Sequence, residues 1–212
     1  MPEVAVGLLD TALAPRFAVR AARSFVAEVR ATGHGDALAQ ILCSGAPRIE
    51  LLSAAVFDGR APASADAVAD GLHWLIGQGA QLINLSFGLR EDRKALRCAC
   101  AQALERGVLL VASAPAQGAA VFPAAYPQVL RITGDARCAP GEFSALDNGQ
   151  AEFGACVGGP RHRPGEPGGG ASWAAAHASA ALAAWLAAGG AGEPRQQLLG
   201  LCRYHGAERR SG

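Results

Sequence analysis

The alternation of continuous apolar runs with segments of helical periodicity most constrains how this chain can fold. Apolar runs occur at residues 4–9, 49–57, 81–87 and 108–112. Such runs are typical of strands that are buried on both faces. Between them, residues 65–77 place apolar side chains at intervals of three and four, as an amphipathic helix does. The sequence therefore predicts an α/β fold with a doubly wound, mostly parallel sheet and helices on both faces.

Three further helices and two irregular segments complete this pattern. The helices are predicted at residues 36–43, 91–106 and 172–188, of which the last is rich in alanine. Residues 16–31 indicate a helix and a short strand that the pattern does not separate. Residues 158–170 are rich in glycine and proline, which predicts a loop.

The domain organisation follows from length and from one hinge. Half of the 212 residues are hydrophobic, so the chain can bury the core of one sizeable domain. A Gly-rich hinge after Gly189 separates a domain at residues 1–190 from a tail at residues 191–212. We expect one short helical piece in this tail, at residues 195–201.

The charge balance excludes several classes of partner. The chain has 19 Lys and Arg against 18 Asp and Glu, which gives no basic surface for nucleic acid or an anionic membrane. Its apolar stretches are too short or too interrupted to span a bilayer, and the first residues do not form a secretory signal. We therefore expect a soluble, cytoplasmic protein that binds neither nucleic acid nor membrane.

The six cysteines do not indicate a disulfide framework or a metal site. Their spacing is irregular, and in a cytoplasmic chain this favours free thiols. Cys98 and Cys100 lie two residues apart in a helical segment, so their side chains point in different directions and chelate poorly. Carboxylates are not clustered at calcium-binding spacing. We expect no metal and no cofactor.

Three polar residues lie at the ends of predicted elements, where α/β sheets carry their sites. Asp10 ends the first strand, His34 lies between Gly33 and Gly35 at a helix start, and Ser172 begins the Ala-rich helix. Together they can form an arrangement in which His removes the Ser proton and Asp orients the imidazole. Each residue also has an ordinary structural explanation, as a strand-end carboxylate, a loop residue or a helix N-cap.

The strings around these residues resemble the motifs of the subtilisin-like serine proteases, family S8. VAVGLLDTA is similar to the aspartate motif, TGHGDALAQIL to the histidine motif, INLSFG to the substrate-binding strand and GGGASWAAAHASAALA to the serine motif. FPAAYPQVLRITG and GEFSALDNG resemble intervening segments of the family. All six occur in the family's order, and the order Asp, His, Ser is that of subtilisin. The resemblance implies the subtilisin-like fold and serine endopeptidase activity.

The resemblance also implies a role for each site residue. Asp10 would orient His34, which acts as general base and then as general acid, while Ser172 attacks the substrate carbonyl. The Ser172 N–H, at a helix start, would donate one hydrogen bond to the oxyanion. An extended peptide would add as a strand to the backbone of three residues, Ser86, Phe87 and Gly88.

Two departures from the family pattern affect the expected activity. SAPAQG puts Pro115 and Ala116 where the family has the Gly-Asn pair whose amide completes the oxyanion hole. Loss of that donor lowers turnover by roughly 10²–10³, a figure measured on subtilisin itself. The amide of Gln117 is the candidate substitute. Trp173 follows the nucleophile, where its large ring would narrow the leaving-group side or shape a specific substrate.

The restrained activity and small size favour a dedicated maturation protease. The chain starts at its first core strand, so we expect neither an inhibitory propeptide nor long insertions. Such an enzyme would remove the leader segment of one peptide or protein precursor, with a maturation-complex partner as one source of the missing element. It resembles the small subtilisin-like protease that matures quinohemoprotein amine dehydrogenase, which makes the small subunit of that enzyme one expected precursor.

Two other functions use the same residues. A peptide-binding pseudo-protease would keep the groove and lose turnover through Pro115 and Ala116, but the intact Asp10, His34 and Ser172 argue against it. An esterase or acyltransferase has no sequence feature in its favour beyond the shared chemistry.

Overall fold

The computed structural model describes residues 3–27, 33–58, 64–146 and 148–207, and these form one sheet with helices on both faces. The strands in these ranges are β1 (Val4–Thr11), β2 (Ala21–Ser24), β3 (Ile49–Phe57), β4 (Leu82–Leu85), β5 (Leu109–Ser113), β6 (Leu130–Gly134), β7 (Phe143–Ala145), β8 (Phe153–Ala155) and β9 (Cys202–His205). The helices are α1 (His34–Gly45), α2 (Ala65–Gly77), α3 (Lys94–Glu105), α4 (Ala171–Ala187) and α5 (Pro194–Gly200).

The strand order of the sheet is β2-β3-β1-β4-β5-β6-β8-β7-β9. All neighbouring strands run parallel except β7 and β8, which are antiparallel. The predicted α/β class with a mostly parallel, doubly wound sheet is therefore confirmed.

The continuous apolar runs become strands that are covered on both faces. Every residue of β1 is buried, and its side chains alternate between two apolar clusters. Val6 and Leu8 face α1 and α4, while Leu9 faces α2 in the cluster that α3 also joins. The carboxyl ends of β1 and β4 consequently meet at one edge of a fully packed sheet, which is where the polar residues begin.

The prediction of a helix within residues 16–31 is wrong for the part that the structure describes. Residues 16–27 form turns and the edge strand β2, and residues 28–31 lie outside the described ranges. The backbone N–H of Arg20 bonds to Leu51 at 2.9 Å, and that of Phe25 bonds to Ala55 at 2.8 Å. Pairing with the open edge of β3 therefore outweighs the local preference for a helix.

The last part of the chain extends the same sheet. Leu198 of α5 is fully buried, and β9 pairs with β7. The boundary at residue 190 stays a prediction, although α5 and β9 pack with the core beyond it. Across the described residues, none of the helices has both the length and the apolar content that a membrane span requires.

Candidate active site

Asp10 and His34 form a hydrogen-bonded pair at the carboxyl end of β1. The Nδ1 atom of His34 lies 2.8 Å from Oδ1 and 3.0 Å from Oδ2 of Asp10. Asp10 is 2% exposed, whereas the His34 side chain keeps 34% of its surface exposed. The carboxylate is therefore shielded from solvent, while the imidazole is in contact with solvent.

Thr11 holds the carboxylate in this orientation. Its backbone N–H donates to Oδ1 of Asp10 at 2.8 Å, and its hydroxyl lies 3.2 Å from the same oxygen. The N–H of Gly35 in turn donates to the Thr11 hydroxyl at 3.1 Å. A Cβ at position 35 would collide with the backbone oxygen of Thr11, so this close approach of α1 to β1 requires glycine.

The electrostatics of the pair prepare His34 to accept a proton. The hydrogen bond from Nδ1 to Asp10 raises the pKa of His34, and burial opposes this rise. The carboxylate favours the tautomer that carries its proton on Nδ1. The lone pair of Nε2 is then available for a proton from a nucleophile.

Ser172 lies in the first turn of α4. The helix begins at Ala171, with Gly170 as N-cap at a φ of 74°, so Ser172 is not the N-cap that a purely structural interpretation suggested. The first N–H groups of a helix have no partner within the helix, which leaves the Ser172 N–H suited to bind an anion. The Ser172 hydroxyl donates to the backbone carbonyl of Ser86 at 3.2 Å.

The predicted substrate strand starts directly after β4. The Ser86 hydroxyl donates to the backbone carbonyl of Ser172 at 3.1 Å, so the two serines form a reciprocal pair of hydrogen bonds. Phe87 is half-buried and packs its ring 5.5 Å from that of Phe57. Gly88 is exposed, and a Cβ there would collide with Val121. The segment therefore passes beside Ser172.

Trp173 contacts the candidate general base. Its ring centroid lies 5.2 Å from that of His34, and the two planes meet edge-on at 83°. The indole also covers Gly169, where a Cβ would overlap the ring. Trp173 therefore forms a wall between the loop before α4 and the imidazole.

The segment after β5 contains the departures from the family pattern. Pro115 is half-buried, and Ala116 and Gln117 are exposed. The Gln117 side chain makes no hydrogen bond within the described part of the chain. Its role as an oxyanion donor stays a prediction.

Sequence reasoning missed a buried series of hydrogen bonds beneath Ser172. The Ser179 hydroxyl donates to Oδ1 of Asn84 at 3.0 Å, and the Asn84 amide donates to the Ser86 hydroxyl at 2.8 Å. Both Asn84 and Ser179 are completely buried. The one available signal was an amide inside an otherwise apolar strand, because buried polar groups need partners.

Two further buried polar residues fasten the loops around the site. Asp36 accepts from the Ala14 N–H at 2.8 Å and from the Arg16 guanidinium at 2.6 Å, which ties the loop after β1 to α1. Nε2 of His177 in α4 lies 2.8 Å from the carbonyl of Gly158, at the start of the glycine-rich loop. Burial lowers the pKa of His177.

An Asp-His pair and a serine at the start of a buried helix lie at the carboxyl edge of a parallel sheet, and these are the residue types that an Asp-His-Ser site requires. The sequence model of the subtilase family matches residues 27–198, and the chain belongs to this family. The match includes His34 and Ser172 but begins after Asp10, whose partnership with His34 comes from the structure.

The curated relatives are proteases. The chain is 36% identical over 132 residues to the subtilisin-like protease het-Q2 of Podospora anserina, which covers 58% of this chain and 34% of that protein. It is 30% identical over 146 residues to Subtilisin Savinase of Lederbergia lenta, which covers 61% of this chain and 54% of the relative. The chain thus spans between a third and about half of the length of these relatives.

Solved structures share the fold over most of both chains. The S218A mutant of the protease domain of PatA has a TM-score of 0.64 at 22% identity, covering 91% of this chain and 84% of that one. The prenylagaramide maturation protease PagA has a TM-score of 0.65 at 20% identity, covering 92% of this chain and 81% of that one. At this level of identity the likeness establishes the subtilisin-like fold.

Proposed function

We propose that the protein is a serine endopeptidase that cleaves a specific peptide or protein precursor during its maturation. The observation that carries this proposal is the hydrogen bond between the buried Asp10 carboxylate and Nδ1 of His34, beside a serine in the first turn of α4. Family membership supports the reaction class. The maturation proteases among the fold neighbours support the type of substrate.

In the proposed reaction, His34 transfers one proton in each of two steps. The Ser172 hydroxyl turns from the Ser86 carbonyl to Nε2 of His34, transfers its proton there and attacks the scissile carbonyl. Asp10 stabilises the imidazolium that forms. The proton then passes to the leaving amine, which yields an acyl-enzyme. Water, deprotonated by His34, hydrolyses this ester and restores the Ser172 hydroxyl.

Substrate binding uses the strand segment and the indole. An extended peptide pairs with the backbone of Ser86, Phe87 and Gly88, which gives affinity with little dependence on side chains. Trp173 restricts the leaving-group side, because the residue whose amine receives the proton from His34 must pass the ring that contacts His34. Together these contacts favour a defined precursor over general digestion.

The oxyanion is bound by the Ser172 N–H and by a second donor. Ala116 has no hydrogen-bonding side chain, so we assign this second role to Gln117 or to a maturation-complex partner. Removal of a leader segment, the quinohemoprotein amine dehydrogenase small subunit as precursor, and a cytoplasmic location are finer proposals, and they rest on sequence resemblance and composition.

A fluorophosphonate probe tests the proposal directly. The protein is expected to be labelled and the Ser172→Ala variant is not, because the probe phosphonylates an activated serine. A candidate precursor is then added, and the fragments are identified by mass spectrometry. Absence of labelling both with and without precursor refutes the proposed protease activity and favours a peptide-binding pseudo-protease. The missing hydrogen-bond donor at Ala116 is the observation that makes this the second candidate. Labelling without precursor cleavage refutes the maturation role alone.

A further inference from the structure

The helix that carries Ser172 packs against the core mainly through small side chains. Seven of the ten buried residues of α4 are alanines. Helices lock against their neighbours when side-chain ridges fit into grooves, and alanines form low ridges. Between Ala174 and Ser179 every buried apolar side chain is an alanine, so apolar packing near Ser172 opposes rotation of α4 only weakly. The larger apolar side chains of α4 that pack with the core are Trp173, Leu182, Trp185 and Leu186.

Directional contacts with β4 supply what this surface lacks. Ser172 and Ser179 lie seven residues apart, which is close to two helical turns, so both face the same neighbour. The Ser172 carbonyl accepts from the Ser86 hydroxyl, and the Ser179 hydroxyl donates to the Asn84 amide. The Asn84 amide also donates to the Ser86 hydroxyl, which joins the two attachment points into one chain.

Because these hydrogen bonds are buried, they can form in only one placement of α4. Asn84 and Ser179 are inaccessible to solvent, and Ser86 is 6% exposed. A rotation of α4, or a slide along its axis, would leave buried donors and acceptors without partners, and water does not reach them to compensate. The Asn84 amide also has a fixed orientation, because its oxygen faces Ser179 and its nitrogen faces Ser86.

We propose that Ser179 and Asn84 are positioning residues for the nucleophile. They hold α4 in the rotation and translation that place the Ser172 hydroxyl against His34 and direct the Ser172 N–H at the oxyanion. Neither residue touches the substrate. The proposal rests on the proposed serine protease function, and it assigns to two residues outside the Asp-His-Ser set a role in the rate of acylation.

The test compares labelling rates with stability. Ser179→Ala fits among the alanines of α4 without a clash and removes one anchor. The matched control is Ser144→Ala, which removes another fully buried hydroxyl, one that donates to Asp135 at 2.6 Å between β6 and β7. Second-order rates of fluorophosphonate labelling are measured at a temperature at which thermal unfolding shows each variant to be folded.

We expect Ser179→Ala to label about 10- to 100-fold more slowly than the unmodified chain, because small misplacements of reacting groups lower rates by such factors. Ser144→Ala should keep the original rate even if its unfolding temperature falls as far. The pH at half-maximal labelling should stay the same in both variants, because the contact between His34 and Asp10 is intact. Equal labelling rates for folded Ser179→Ala and the unmodified chain would overturn the proposal.

A double variant keeps the test informative if Ser179→Ala folds poorly. Asn84→Leu combined with Ser179→Ala replaces the polar pair by apolar groups of similar size, a change that restores stability in buried pairs. Positioning predicts a stable protein that labels slowly, whereas a purely structural role predicts that the rate recovers with stability. If the unmodified chain itself fails to label, the proposed function fails and not this inference alone.

Discussion

Replacement of Asp10 by Asn should change the hydrogen bond that orients His34 while it leaves the shape of the site and the Thr11 contact intact. The Thr11 N–H donates to Oδ1, so the oxygen of the new amide is expected to stay there and the NH₂ group to replace Oδ2. That group would lie about where Oδ2 does now, 3.0 Å from Nδ1 of His34. It can donate to Nδ1 and so competes with the amide oxygen, which stays 2.8 Å from Nδ1. Donation to Nδ1 stabilises the tautomer with the proton on Nε2, which cannot accept the Ser172 proton.

The expected loss is large because the substitution populates the wrong tautomer and removes the charge that stabilises the imidazolium. Triads with this substitution lose about 10⁴-fold in turnover, which corresponds to about 5 kcal/mol of activation free energy. The pH dependence should shift as well. The hydrogen bond to Asp10 raises the pKa of His34 above 6.5, so labelling by fluorophosphonate should rise with pH around a midpoint above 6.5. Without the carboxylate, the residual rate should have a lower midpoint.

The assay is the second-order labelling rate from pH 5 to pH 9, with Asp36→Asn as the matched control. Asp36 is also a buried carboxylate that accepts a backbone N–H, but its partners are Ala14 and Arg16 and not His34. Asp36→Asn should keep most of the rate and the original midpoint. A rate for Asp10→Asn within tenfold of the unmodified chain, or an unchanged midpoint, would refute the assignment of Asp10 as the orienting carboxylate.

Three further substitutions test other parts of the site. Burial lowers the pKa of His177, so below pH 6.5 the unfolded chain binds a proton that the folded chain does not. The free energy of unfolding therefore decreases as the pH is lowered. In His177→Gln, the free energy of unfolding in urea should differ less between pH 5 and pH 7.5 than in the unmodified chain. An equal difference in the two proteins would contradict the assignment. Trp173→Ala should admit bulkier residues after the scissile bond in a peptide library, and an unchanged profile would remove its role in specificity. Gln117→Ala should lower turnover by roughly 10²-fold if the amide binds the oxyanion, and unchanged turnover would eliminate it.

The sequence predicted four strands of the sheet, β1, β3, β4 and β5, and the three candidate catalytic residues because their signals are local. Each long strand is a continuous apolar run, and Asp10, His34 and Ser172 stand where such runs or glycine-rich turns meet the next element. A residue at a strand end is a visible interruption of an apolar pattern. The residues that mark the site are therefore also the ones that mark the element boundaries.

The features that sequence reasoning missed depend on contacts between distant parts of the chain. Strands such as β7 and β8 have three residues each, too few to show a period of two, and they form because their neighbours are already in place. Asn84 is hidden inside an apolar strand and Ser179 among alanines, although the two side chains meet across 95 positions of sequence. A hydrogen bond of that span leaves no local pattern.

His34 and Ser172 are attached to adjacent strands, so the sheet determines how far apart they are held. His34 is oriented by Asp10, the last residue but one of β1, and Ser172 is held by Ser86, which directly follows β4. These strands pair in parallel, and their ladder ends with Leu9 opposite Leu85, directly before Asp10 and Ser86. Neighbouring strands lie about 4.8 Å apart, a spacing that the main chain sets and side-chain motion does not change. The sheet therefore fixes how far apart the attachment points of His34 and Ser172 lie, and changes at Asp10 or Asn84 should act on the rate of acylation more than on peptide affinity.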